Sequence, residues 1–133
     1  MPIAALVVWC TTACFGLYLL AMWLSHGGLK HQATRITVFP AVLTFAHPLL
    51  AAVGLAFWVS FTGTGRPECA WAGFSVLSMS TMLGFAMLTR WLVGRGGRHA
   101  RGAEQHFPVR AAAVHGLVGL GTYVLVLVTA IRA

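Results

Sequence analysis

The sequence predicts an all-α integral membrane protein, a four-transmembrane-helix bundle made of two tandem helical hairpins, and three observations carry that prediction. Of 133 residues, 59% are hydrophobic and only 8% charged, where a soluble domain carries about 25% charged residues. The apolar residues gather in four runs, each long enough for the roughly 20-residue helix that crosses a bilayer. One pattern also occurs twice: Phe39-Pro40 with His47 seven residues past the proline and, 68 positions on, Phe107-Pro108 with His115 at the same spacing. The length suits a single membrane domain over residues 1–133, with repeat halves of about 1–65 and 66–133, and leaves no room for a separate soluble domain.

The first run, Pro2–Leu24, has no basic leader and is too long for a signal-peptide core, so it is expected to be a retained span. Cys10 and Cys14 lie one turn apart in it; with Cys69 they form neither CxxC nor zinc-finger spacing and are expected to be buried structural thiols. The second run, Ile36–Phe61, has Pro40 near its start, where a missing N–H costs little. Pro48 lies inside it and should loosen or kink the helix just after His47. The third run, Ala70–Val93, contains Ser75, Ser78, Ser80 and Thr81, expected to back-bond to their own helix and to pack. The fourth, Val109–Ile131, follows Pro108. All four must be helical, because backbone polar groups cannot stay unpaired in lipid.

Charge orients the bundle. The net charge is +7, from nine Lys and Arg against two acids. Lys30 and Arg35 lie in the first loop, and Arg90, Arg95, Arg98, Arg101 and Arg110 flank or fill the third, whereas the second has Arg66 alone. The positive-inside rule then places the first and third loops in the cytoplasm and both termini outside. This accounts for the basic balance through topology and anionic headgroups rather than nucleic acid, in a multi-pass protein of a bacterial inner membrane. Trp9, Trp23, Trp58, Trp71 and Trp91 lie towards span ends, where an aromatic belt would put them.

The repeat extends beyond its opening motif. At the same offset Gly16 matches Gly84, Trp23-Leu24 matches Trp91-Leu92, Gly28 matches Gly96 and His31 matches His99. Two hairpins entering from one side are parallel repeats related by an axis along the membrane normal. That symmetry sets the first span opposite the third and the second opposite the fourth. It places His47 and His115 at one depth, each roughly 10 Å along its helix from the proline.

A histidine inside a hydrophobic span marks a candidate functional site. The pair points to bis-histidine ligation of one heme b between spans two and four, neutral imidazole being a standard axial ligand. Ala51 and Gly54 on the face of His47, and Gly119 on that of His115, would give a porphyrin room. Arg110, Arg90 and Arg35 would lie near the propionates. A quinone is another candidate occupant. The competing reading is a histidine pair that holds the hairpins together by hydrogen bonds worth about 1 kcal/mol, with the small residues serving helix packing. Two histidines without Cys, Asp or Glu nearby make a poor closed site for a lone metal ion. His31 and His99 are expected to be solvated loop residues. His106 is expected at the interface, within reach of a propionate or quinone carbonyl, and His26 at a helix C-terminus that favours positive charge. No carboxylate lies inside any span, so a proton or cation relay has no footing. Paired carboxylates, a Ser/His/Asp set, a P-loop and a dinucleotide fingerprint are likewise missing.

Two hairpins with one histidine on helix two and one on helix four resemble half of a heme A synthase. That resemblance implies an axial-ligand role for His47 and His115. The family carries Glu three residues before a ligand histidine and Arg directly after it. Here those positions hold Thr44 and Pro48 around His47, and Ala112 and Gly116 around His115, so heme-modifying catalysis does not carry over. The Phe-Pro-His repeat and the Arg-over-Lys, Ala/Gly-rich composition also resemble small four-span membrane proteins of high-GC actinobacteria. The expected function is a membrane b-type cytochrome-like subunit, transferring electrons near the quinone pool or in a respiratory complex. The alternative is a cofactor-free accessory subunit of a larger membrane complex. Both imply the bilayer and a larger protein partner, and so small a chain is more in keeping with an electron-transfer or accessory subunit than with a complete enzyme.

Overall fold

The computed structural model describes residues 1–33, 37–96 and 101–133. Helix α1 spans Pro2–Ser25, the short α2 Gly28–Ala33, α3 Ala41–Thr64, α4 Pro67–Gly94 and α5 Val109–Ile131, with a 3-10 turn at Ala103–His106 before α5. The described residues contain no strand. By length and composition α1, α3, α4 and α5 can each cross a membrane, their most apolar stretches having mean hydropathies of 1.4 to 2.1.

The boundaries follow local chemistry. Helix α3 starts at Ala41 rather than Ile36, because Pro40 is its N-cap. It stays one helix through Pro48 and ends where Gly65 takes a left-handed conformation, φ 68°, which glycine adopts without Cβ strain. Helix α4 starts at Pro67 rather than Ala70: proline needs no N–H partner in the first turn, and Glu68 beside it complements the helix dipole.

The long helices form a ring. Helix α3 packs most closely on α4, and α1 on α5; looser contacts of α4 with α5 and of α1 with α3 close it. Helix α3 is therefore diagonal to α5, as expected for the second and fourth spans. The core is split in two. One cluster, at the end holding the termini and the α3–α4 loop, contains Ala5, Trp9, Trp58, Phe61, Ala70, Leu77, Val126 and Ala130. The other, at the opposite end, contains Trp23, Phe39, Trp91 and Ala103.

Two expectations are corrected by burial. Trp9, Trp23, Trp58 and Trp91 are 0–5% exposed, so they fill the ends of the bundle instead of forming a lipid-facing belt; only Trp71 of the five is exposed, at 46%. Filling a bundle this small takes bulk, and an indole supplies more buried area than any other side chain. Trp58 finds a partner for its N–H in the Pro2 carbonyl, 3.1 Å away. Cys10 and Cys14 are free and exposed rather than buried; on a span in lipid, outward thiols need no bundle partner.

A carboxyl group ties the loop ends together. Glu104, on the 3-10 turn, is fully buried. The Thr37 hydroxyl donates to its Oε2 at 2.7 Å and the Val38 N–H to its Oε1 at 3.0 Å. Its own carbonyl accepts from the Trp91 indole N–H at 3.0 Å. Any side chain at position 102 would overlap the Glu104 carboxyl group, so Gly102 is what lets it fold back. The loop before α5 is thereby fastened to the segment leading into α3 and to the end of α4.

Candidate heme pocket

Each histidine is held by a helix other than its own. His47 on α3 directs Nδ1 at the Ser80 carbonyl of α4, 2.8 Å away. His115 on α5 directs Nδ1 at the Thr12 carbonyl of α1, 3.0 Å away. A carbonyl only accepts, so both Nδ1 atoms carry the proton, and each Nε2 keeps its lone pair for another partner. The imidazoles face each other across the bundle diagonal, ring centroids 6.1 Å apart and planes at 88°.

Glycines make room for both rings. A Cβ added at Gly84 would lie 3.0 Å from His47 Cε1, and one at Gly16 would lie 3.0 Å from His115 Cε1. Ser80 adds a second hold on its side, its hydroxyl donating to the His47 carbonyl at 2.9 Å. On the other side, the hydroxyls of Thr12 and Thr122 lie 2.8 Å apart. Thr12 and Ser80, like Gly16 and Gly84, stand at the offset that relates the histidines.

Between the two core clusters the bundle is hollow. A cavity of about 520 Å³ is lined by both histidines, Gly16, Gly84, Ala51 and Gly119 among others. Trp23, Phe39, Trp91 and Phe107 line it towards the loop end and Trp9 and Leu77 towards the other. Phe39 and Phe107, the residues that open the repeated motif, pack with centroids 5.9 Å apart.

The site thus gathers His47, His115, Ala51 and Gly119 from the sequence expectation, and not the rest. Gly54 is buried away from the cavity, where α3 and α4 cross: an added Cβ would lie 3.1 Å from the Trp9 ring and 3.3 Å from the Gly73 carbonyl oxygen. Arg90 is exposed and donates to the Val38 carbonyl at 3.3 Å, beside an outer cleft that it lines with Thr37 and Val93. Arg110 is exposed and does not line the cavity. Arg35 and His99 lie outside the described residues. His106 is exposed at the loop end, its ring stacked on that of His26 with centroids 4.1 Å apart. His26 caps α1 with Nδ1 2.8 Å from the Met22 carbonyl.

Ser80, Thr12, Gly16 and Gly84 were not foreseen as histidine supports. Their signal was the shared offset, legible for Gly16 and Gly84, but the atoms of Ser80 and Thr12 that accept from the imidazoles are backbone carbonyls, which any residue type could supply.

Two neutral imidazoles are a donor set that could serve a heme. Metal–imidazole bonds of about 2 Å on opposite sides of one ion put the ring centroids roughly 6 Å apart, close to the 6.1 Å seen here. Among the described residues no three His, Cys, Asp or Glu side chains gather as a metal site, so these residues suit axial ligation of a group that brings its own equatorial donors better than a closed tetrahedral site. No protein-family model, curated protein or solved structure matches the chain.

Proposed function

We propose that the chain is a membrane b-type cytochrome-like subunit in which His47 and His115 are the axial ligands of one heme b, held between α3 and α5. The observation that carries this reading is the pair of anchored imidazoles, 6.1 Å apart, in the hollow waist of a bundle whose cores lie at its two ends. A heme supplies reversible one-electron exchange at its iron when bound. The chain's part is to present two neutral imidazoles through Nε2, to fix their tautomer through the Ser80 and Thr12 carbonyls, and to keep water from the site with apolar walls. Because this chain's own residues would occupy both axial positions, the role is electron carriage rather than substrate activation. The redox partner in this reading is the quinone pool or a neighbouring subunit of a respiratory complex.

The same reading treats the chain as a tandem repeat of two hairpins in a bacterial inner membrane. The paired supports of the histidines favour it, since Ser80 and Gly84 serve His47 as Thr12 and Gly16 serve His115. Lys30, Arg90, Arg95, Arg101 and Arg110 lie at or next to the loops joining α1 to α3 and α4 to α5, and by the positive-inside rule this supports a cytoplasmic side for that end in the same reading. Cys69, half-buried at the start of α4, should then react with a membrane-impermeant maleimide from outside intact cells once Cys10 and Cys14 are replaced by Ala. Labelling only in inverted vesicles would reverse the orientation.

A cofactor-free accessory subunit is the second reading, favoured by the hydrogen bonds that already satisfy one nitrogen of each histidine and by a ring separation that also suits an aromatic pair. A reduced-minus-oxidised spectrum decides. Protein purified from heme-replete cells should show b-type bands, whereas a colourless, folded preparation would leave the accessory reading standing.

A further inference from the structure

The two imidazoles do more than face each other: their planes stand at 88°. We propose that Gly16 and Gly84, with the Thr12 and Ser80 carbonyls, are positioning elements that hold the axial imidazoles perpendicular, and that this angle sets the electronic state and raises the potential of the bound heme. The inference rests on the bis-histidine reading above and deepens it.

Each ring has two constraints. The Nδ1 hydrogen bond fixes one in-plane direction, at 2.8 Å for His47 and 3.0 Å for His115. The glycine opposite fixes the tilt, since Cε1 rests where a side chain at position 84 or 16 would reach within 3.0 Å. An imidazole hydrogen-bonded through Nδ1 and seated against a helix backbone cannot turn about its metal bond without breaking one contact or overlapping the other. Outer-shell partners commonly fix ligand orientation in this way. Two such seats on different helices, α4 for His47 and α1 for His115, hold the planes crossed.

Crossed planes have an electronic consequence. An imidazole donates π density in one direction only, perpendicular to its ring. Parallel rings both raise the same member of the iron dxz/dyz pair and split it, whereas perpendicular rings raise one member each and leave the pair nearly degenerate. The ferric ion, with one hole in that pair, gains least stabilisation when the splitting is small. The ferrous state is relatively favoured, and the midpoint potential is higher than for the same ligands in parallel. Outer-shell hydrogen bonds to the axial ligands are a recognised control of heme potential.

Electron paramagnetic resonance of the oxidised, heme-loaded protein tests this. The wild type should give the single strongly anisotropic low-spin signal of crossed imidazoles. Gly84→Ala should turn the His47 ring, moving the signal towards the three-line rhombic spectrum of more parallel planes and lowering the midpoint, with the b-type optical bands retained. Gly16→Ala should do the same through His115. Gly121→Ala, on α5 with nothing within 4 Å of an added Cβ, should leave the signal unchanged. A rhombic spectrum in the wild type overturns the proposal while leaving bis-histidine ligation intact. So does an unchanged signal and midpoint in both glycine variants. Wild-type protein without b-type bands removes the heme reading itself, an outcome distinct from either.

Discussion

His47→Ala and His115→Ala should each abolish the b-type bands, and to the same extent. Losing one outer-shell partner of a metal ligand commonly costs about 10- to 100-fold in metal affinity; losing the ligand itself should exceed the upper figure. Equal losses are expected because the two sites are built alike, with one helix carbonyl and one glycine behind each ring. Stability should change little, since the Ser80 and Thr12 carbonyls belong to helices whose backbone bonds persist without the imidazole. Heme content per folded protein, measured by pyridine hemochrome against a circular-dichroism melt, separates the two effects. A variant that keeps its bands would strike that histidine from the ligand set.

Glu104→Ala should have the largest effect on stability. The substitution opens a void at a fully buried position and strips the Thr37 hydroxyl and the Val38 N–H of their acceptor. An unpaired buried donor costs about 1–3 kcal/mol, so two donors and a cavity together should cost roughly 3–5 kcal/mol. Glu104→Gln keeps the volume and one acceptor oxygen and should recover more than half of the loss. Thermal unfolding in detergent, followed by helical circular dichroism, reads both. An unchanged midpoint in Glu104→Ala would show that the loops are held by their aromatic packing alone.

Much of this was legible in the sequence. Four spans, their order around the ring and the diagonal relation of His47 to His115 follow from hydropathy and from one offset. Backbone length and bilayer thickness constrain those features strongly. Details set by tertiary contact were not legible. Trp9 and Trp58 sit near span ends both in an aromatic belt and in an inward-facing core, and only the rotation of each helix distinguishes the two. The burial of Glu104 had no signal in the sequence, because it depends on Gly102, Thr37 and Val38 converging from two loops. Arg90 and Arg110 share the end of the bundle assigned to them but not the cavity, a distinction of a few ångströms that sequence distance cannot resolve.

The close pairing of α1 with α5 and of α3 with α4 also bears on biogenesis. Synthesis delivers α1 first and α5 last, so His47 and its Ser80 seat are complete while His115 is still inside the ribosome. Until α5 arrives, α1 has no close partner, and one wall of the pocket is missing. The α3–α4 hairpin can insert early, with a half-formed site open to lipid. A cofactor captured then would have one ligand and one wall. Docking of α5 should therefore complete the pocket, whose lining includes residues of both α1 and α5. A chain stopped before Val109 should reach the membrane and yet hold nothing.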